Sequence, residues 1–265
     1  QRYVRNQGDA WTRSVDLFRR AFEEMLTAPE DRDIGDALGG FLPLMEALGR
    51  RTAQMHAALA KPGDNALFAQ AFAPEPLGVD DLGQFLQDAE EEANAAWSAL
   101  SHAKIDTDLV RASVTAVLTR RDDVSAALNA LTARPLDGLK MRVHGDFHLG
   151  QILITQQDVA IVDFKGEPAH GAQARRAKDT PMRDVAGMLR SISYAAGAAI
   201  QAIEQRLLTD PLRAESMSSS AAQFVSMAFL DAYDSQIAGS RAEIIDPDAK
   251  RRLLGLKLLQ KALYE

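Results

Sequence analysis

The chain has 265 residues, of which 46% are hydrophobic and 25% charged, with a formal net charge of −7 and no cysteine. This is the balance of a globular protein able to bury a sizeable core. The acidic excess excludes a general nucleic-acid binder, which needs a basic face for phosphates. The missing cysteines exclude disulfides, thiolate catalysis and Cys-ligated zinc. No apolar run approaches the ~20 residues that span a bilayer. The opening "QRYVRNQGDAW" has no apolar signal-peptide core, so a cytoplasmic protein with neither nucleic-acid nor membrane partners is expected.

In chain order, Trp11, Val15, Phe18, Phe22 and Leu26 recur at helical spacing and predict a helix over 11–26, with Pro29 beyond its end. The pattern repeats over 34–60 through Leu38, Phe41, Leu42, Met45, Leu48 and Met55. The Pro- and Gly-punctuated stretch 60–80 reads as a connection. A long helix follows near 79–102, with Leu82, Phe85, Ala89, Ala93 and Trp97 on one stripe and the acidic run Glu90–Glu92 on a solvated face. Trp97 is assigned to the core, whereas Trp11, within "NQGDAW", is open between packing and sugar stacking. One helix is expected over 106–132, and the helical period returns over 182–208, 213–238 and 247–264. The fold class is therefore mostly α with a small β-hairpin.

The exception is "RVHGDFHLGQILITQQDVAIVDFKGEP", residues 142–168. Its two β-type runs, 152–155 and 159–162, pair as a hairpin around 156–158 and bring Asp163 back beside Gln151. Phosphoryl transfer needs a base for the attacking hydroxyl and oxygen ligands for a Mg²⁺ that bridges phosphates. Asp146 suits the first task; Gln151 and Asp163 suit the second. Asp also favours turns, so a purely structural role for both aspartates stays open at this point. His144 and His148 have the spacing of a helical zinc pair, but Gly145 and the preceding β-type run argue against a helix there. The basic cluster Arg175, Arg176 and Lys178 reads as a solvated loop in preference to a grip on phosphate or an acidic partner.

"HGDFHLGQ…VDF" resembles the catalytic and metal loops of the protein-kinase-like fold in its aminoglycoside-phosphotransferase branch. The longer set is more specific. "NQGDAW" (6–11), "HGDFHLGQ", "DFKGEP", "KDTPMRDVAGMLRS" (178–191) and "KALYE" (261–265) together resemble the maltokinase family, including the maltokinase domain fused to the C-terminus of trehalose synthases. The resemblance runs from one end of the chain to the other. It implies the helical C-terminal lobe of that fold with its N-lobe absent: residues 1–10 as a hinge remnant, and 11–265 as the lobe carrying the loops at 142–168.

The implied activity is transfer of the γ-phosphate of ATP, with Mg²⁺, to the anomeric hydroxyl of maltose, in a fragment inactive without its N-lobe. Asp146 is then the catalytic base, Gln151 and Asp163 hold Mg²⁺ and nucleotide, and Glu167 joins the metal shell. His148 and Tyr264 lie on the substrate side, and Asp184 bonds the backbone of the catalytic loop from the start of a buried helix. A fused or associated trehalose synthase domain is the implied partner. The family's Glu is Lys165 here, and a cation beside a Mg²⁺ site opposes metal binding unless it faces solvent or a phosphate. The alternatives are a non-catalytic module of a trehalose synthase and a kinase of the same fold for another small molecule.

Overall fold

The computed structural model describes residues 4–27, 33–61, 73–104, 108–156, 158–166, 177–207 and 211–265. Among them the chain is mostly helical with two small antiparallel sheets. The elements are α1 (Ala10–Thr27), α2 (Ile34–Leu38), a 3₁₀ turn (Gly39–Phe41), α3 (Leu42–Leu59), β1 (Glu75–Pro76), α4 (Val79–His102), α5 (Asp108–Thr119), α6 (Arg121–Thr132), β2 (Leu139–Lys140), a second 3₁₀ turn (Leu149–Gln151), β3 (Ile152–Ile154), β4 (Val159–Ile161), α7 (Met182–Leu207), α8 (Pro211–Ile237) and α9 (Pro247–Tyr264). They form two compact units, Gln1–Pro74 with Met141–Glu243 and Glu75–Lys140 with Ile244–Glu265. No helix among the described residues is long and apolar enough to cross a membrane.

In the first unit, α1 starts where the Asp9 carboxylate accepts the Thr12 N–H at 2.8 Å, satisfying a donor the helix itself leaves orphaned. Its apolar stripe buries Phe18 and Phe22, and Phe18 meets Phe41 edge to face at 4.8 Å. The expected 34–60 helix is divided by the 3₁₀ turn at Gly39–Phe41, where two glycines and Pro43 lower helix propensity. Helices α3 and α8 approach so closely that a Cβ at Gly49 would lie 2.3 Å from the Phe229 carbonyl oxygen. The bare Gly49 backbone thus allows the crossing that buries Met45, Leu48, Phe229 and Tyr233.

In the second unit, the expected 106–132 helix is two helices that break at Arg120. Arg120 has φ −96° and ψ 13°, outside the helical well, and its N–H closes on the Val117 carbonyl, while Asp122 and Asp123 favour a fresh N-terminus for α6. Trp97 is buried with Phe85, as its stripe implies. The buried Arg252 of α9 donates to the carbonyls of Leu131 and Arg134, both at 3.0 Å, satisfying acceptors at the end of α6. Strands β1 and β2, two residues each, have no periodic signal in the sequence.

Candidate active site

The expected hairpin forms, with strands of three residues each. Ile152, Leu153 and Ile154 oppose Ile161, Ala160 and Val159, and the Val162 N–H donates to the Gln151 carbonyl at 2.9 Å. Asp163 therefore leaves β4 directly opposite the turn that carries Gln151. Residues 7–9 extend the sheet along the other edge of β3: Gln7 N–H donates to Ile154 O at 2.8 Å, and Ile154 N–H donates to Gly8 O at 2.9 Å. Gly8 takes φ +109°, a conformation costly for any residue with a Cβ.

The loop 144–151 is fixed from below by α7. Asp184, 1% exposed, accepts from His144 N–H at 2.7 Å and Gly145 N–H at 2.9 Å, as expected of it, and from the His56 ring at 3.0 Å. Burial pushes its carboxyl up, and the bonds from His56 and from the Gly145 N–H outweigh that push, holding it below the usual carboxylate range. The Leu149 N–H donates to Ser191 Oγ at 3.1 Å. Phe147 and Leu149 bury their side chains, and a Cβ at Gly187 would sit 2.6 Å from the Phe147 carbonyl oxygen. Apolar pins, a carboxylate anchor and one bare helical position thus seat the loop.

The two loops lie side by side. His144 Nε2 donates to Val162 O at 2.9 Å, and its ring stands 4.9 Å from that of Phe164. Gly145, at φ +82°, would place a Cβ 3.6 Å from the Gly166 Cα. His144 is thus a backbone clamp rather than a metal ligand. Asp163 takes φ 63°, the one non-glycine at positive φ among the described residues. Asp tolerates that region better than most residues, yet strain of this kind concentrates at functional loops.

The Asp146 side chain retains 18% exposure, and His148 Nε2 lies 3.7 Å from its Oδ1. His148 Nδ1 accepts the Gly150 N–H at 3.1 Å, which places its proton on Nε2, 3.7 Å from the Asp146 carboxylate; the Gln151 side-chain nitrogen, itself a donor, lies 3.4 Å from that atom. Lys165 is largely exposed and its Nζ lies 3.2 Å from Asp163 Oδ1. Among the described residues no cluster of three or more His, Asp or Glu could hold a metal alone. One carboxylate and one amide oxygen match instead a hard ion that keeps waters and shares the oxygens of a phosphate ligand.

The structure thus gathers Asp146, His148, Gln151 and Asp163 on two adjoining loops. Glu167, Arg175 and Arg176 lie outside the described residues. Lys178 donates to Ala73 O at 2.8 Å. Tyr264 belongs to the second unit, at the end of α9, with Lys261 Nζ 4.9 Å over its ring. Sequence reasoning missed His56 and Tyr233. The available signal was a histidine beside Met55 on the otherwise apolar stripe of α3.

No family model matches the chain. It is 30% identical over 259 residues to a glucosamine kinase of Streptacidiphilus jiangxiensis, covering 98% of this chain and 50% of that protein. A glucosamine kinase of Mycolicibacterium smegmatis is 28% identical over 195 residues, covering 73% and 41%. Solved structures agree. A glucosamine kinase in complex with glucosamine, ADP and inorganic phosphate superposes with TM-score 0.73 at 25% identity, over 99% of this chain and 53% of that one. A crystal form of glucosamine kinase matches equally well, over 99% and 52%. The chain spans about half the length of the curated relatives it matches.

These findings overturn the maltokinase resemblance. Relatives and structures that match nearly the whole chain are glucosamine kinases, so maltose as substrate and a trehalose synthase domain as partner are both set aside. The reason is physical. Strings shared along a scaffold of this kind do not by themselves encode which sugar presents its hydroxyl.

Proposed function

We propose that these residues form the catalytic-loop half of an ATP-dependent glucosamine kinase. The single observation that carries the reading is the double clamp on two loops. Asp184 holds the backbone at 144–145, and His144 holds Val162, so that Asp146 and Asp163 project from adjoining rigid loops. In this reading residues 11–265 correspond to the helical lobe of the protein-kinase-like fold, and 1–10 to its hinge segment, of which 7–9 run along β3.

The reaction transfers the γ-phosphoryl group of ATP to a sugar hydroxyl, leaving ADP, and the hydroxyl proton must go to a base. Asp146 is that base: it is partly exposed, projects from a backbone fixed on the adjacent residue, and has the His148 ring nearby, 3.7 Å from its Oδ1. Most of the remaining work is positioning and neutralising charge. Asp163 and Gln151 would hold Mg²⁺, which when bound neutralises the phosphate oxygens. Glu167 would be a further carboxylate for the metal in the same reading. Lys165, exposed and 3.2 Å from Asp163 Oδ1, stands beside the metal position as a cation and opposes metal–nucleotide binding there.

The test is phosphorus NMR of reactions containing ATP, glucosamine and the full-length protein. A glucosamine phosphate signal should grow with the wild type and fall by about 10²–10⁴-fold with Asp146→Asn. No phosphorylated glucosamine, or an undiminished rate in Asp146→Asn, would overturn the proposal.

A further inference from the structure

Behind the catalytic loop, a chain of buried polar groups crosses the helical core of the first unit. Tyr233 of α8 lies 2.9 Å from His56 Nδ1 of α3; His56 Nε2 lies 3.0 Å from Asp184 Oδ2; and Asp184 holds the amides of residues 144 and 145. We propose that His56 and Tyr233 are positioning residues for phosphoryl transfer. They fix the orientation of the Asp184 carboxylate, and through it the backbone from which Asp146 projects. This deepens the kinase reading and rests on it.

Asp184 has two oxygens and receives three donors. Oδ1 takes the Gly145 N–H, while Oδ2 takes both the His144 N–H and the His56 ring. The first two donors belong to the loop whose position is at stake. Without a third, the carboxylate and the loop could shift together as one body. The His56 bond is the one that ties this carboxylate to a different helix. That helix is itself immobilised, since α3 crosses α8 in direct backbone contact at Gly49. His56 and Tyr233 are 0% and 1% exposed, so neither group can exchange its partner for water.

The proton count gives the chain a single direction. Nε2 faces a carboxylate and therefore carries a hydrogen. The Tyr233 hydroxyl has no second partner among the described residues, so its hydrogen is satisfied only by donation to Nδ1. Burial, together with the charges of Asp184 and Asp234, pushes the Tyr233 hydroxyl up and keeps that hydrogen in place. The relay runs Tyr233 O–H to His56 Nδ1, then His56 Nε2–H to Asp184. A core histidine retained for packing alone would not need both nitrogens matched. Replacing it by an apolar residue would leave the Asp184 charge short of a donor.

The experiment uses the full-length protein with Tyr233→Phe, His56→Gln and His56→Leu, and reads glucosamine-dependent turnover beside amide hydrogen exchange at residues 144 and 145. His56→Leu should lower kcat about 10- to 100-fold, with KM for glucosamine nearly unchanged, as is usual for groups that orient a functional residue. It should also speed exchange at 144 and 145 while leaving the α3 amides at 45–48 protected. His56→Gln, whose side-chain amide can restore the donor to Asp184, should recover most of both effects, and Tyr233→Phe should fall between. Unaltered exchange at 144–145 in His56→Leu, or a Gln variant no better than Leu, would overturn the proposal. If His56→Leu does not fold, Tyr233→Phe decides by the same two readouts. Exchange is independent of turnover. A wild type that phosphorylates no glucosamine overturns the glucosamine-kinase reading, whereas faster exchange in His56→Leu still shows that His56 holds the backbone at 144 and 145.

Discussion

The Asp184 centre of the first unit and the Asp248 cluster of the second put the same group to opposite use. Asp184 is sealed from water and receives three N–H donors, two of them from the loop it positions. Asp248 is 29% exposed and faces Arg134, Arg251 and Arg252, with the first two of these guanidinium groups mostly in solvent. The second arrangement looks richer in charge, yet water screens it, and exposed pairs contribute little. The first has no compensating solvent, so each of its bonds carries structural information: losing one leaves a charge or a loop amide unsatisfied. Ion pairs therefore mark the important carboxylate poorly in this chain, whereas buried bonds to backbone N–H groups mark it well.

The contrast is broken most directly at Asp184. Asp184→Ala should cost about 3–5 kcal/mol in chemical denaturation and abolish turnover, because two loop amides and the His56 ring lose their acceptor. The same centre sets an acid limb. The folded-state carboxyl of Asp184 is lowered, so its contribution is present at neutral pH and is lost as the solution falls below the ordinary carboxylate value near about 4. Denaturation midpoints followed downward from pH 6 should drop more steeply in the wild type than in Asp184→Asn.

Gly187→Ala comes next. Its Cβ would meet the Phe147 carbonyl oxygen at 2.6 Å, so the loop 144–151 must shift, at about 1–3 kcal/mol by thermal unfolding and, if that loop carries the base as proposed, with reduced kcat. Smaller still is Lys165→Ala, which removes the cation beside Asp163. Calorimetry should show ADP with Mg²⁺ binding severalfold tighter, a change of about 1 kcal/mol or less. Weaker binding would show instead that Lys165 serves a phosphate. At the bottom, Arg134→Ala should alter unfolding by under about 1 kcal/mol despite its short contact with Asp248.

The parts of the fold legible in the sequence are those written in local period. The hairpin at 152–161 and the helices around Phe18 and Trp97 follow from alternation and apolar stripes, and Asp163 beside Gln151 follows from the hairpin. The His56–Asp184–Tyr233 chain was not legible, because its members lie on three helices far apart in sequence and only tertiary packing joins them. The break at Arg120 was hidden since nothing in 106–132 interrupts helical propensity strongly; the interruption is a local backbone choice reinforced by two aspartates. The sugar was misread for another reason. The strings that resembled a maltokinase describe scaffold and loop residues, and such strings do not encode which sugar is preferred.

Whether the clamped loops serve phosphoryl transfer to glucosamine is decided by kcat/KM of the full-length protein for glucosamine and for maltose, followed by ADP release under identical ATP and Mg²⁺. Glucosamine should be preferred by at least about 10-fold, since a site built to bond the amino group rejects sugars that lack it. Equal rates, a preference for maltose, or ADP release that needs neither sugar would contradict it.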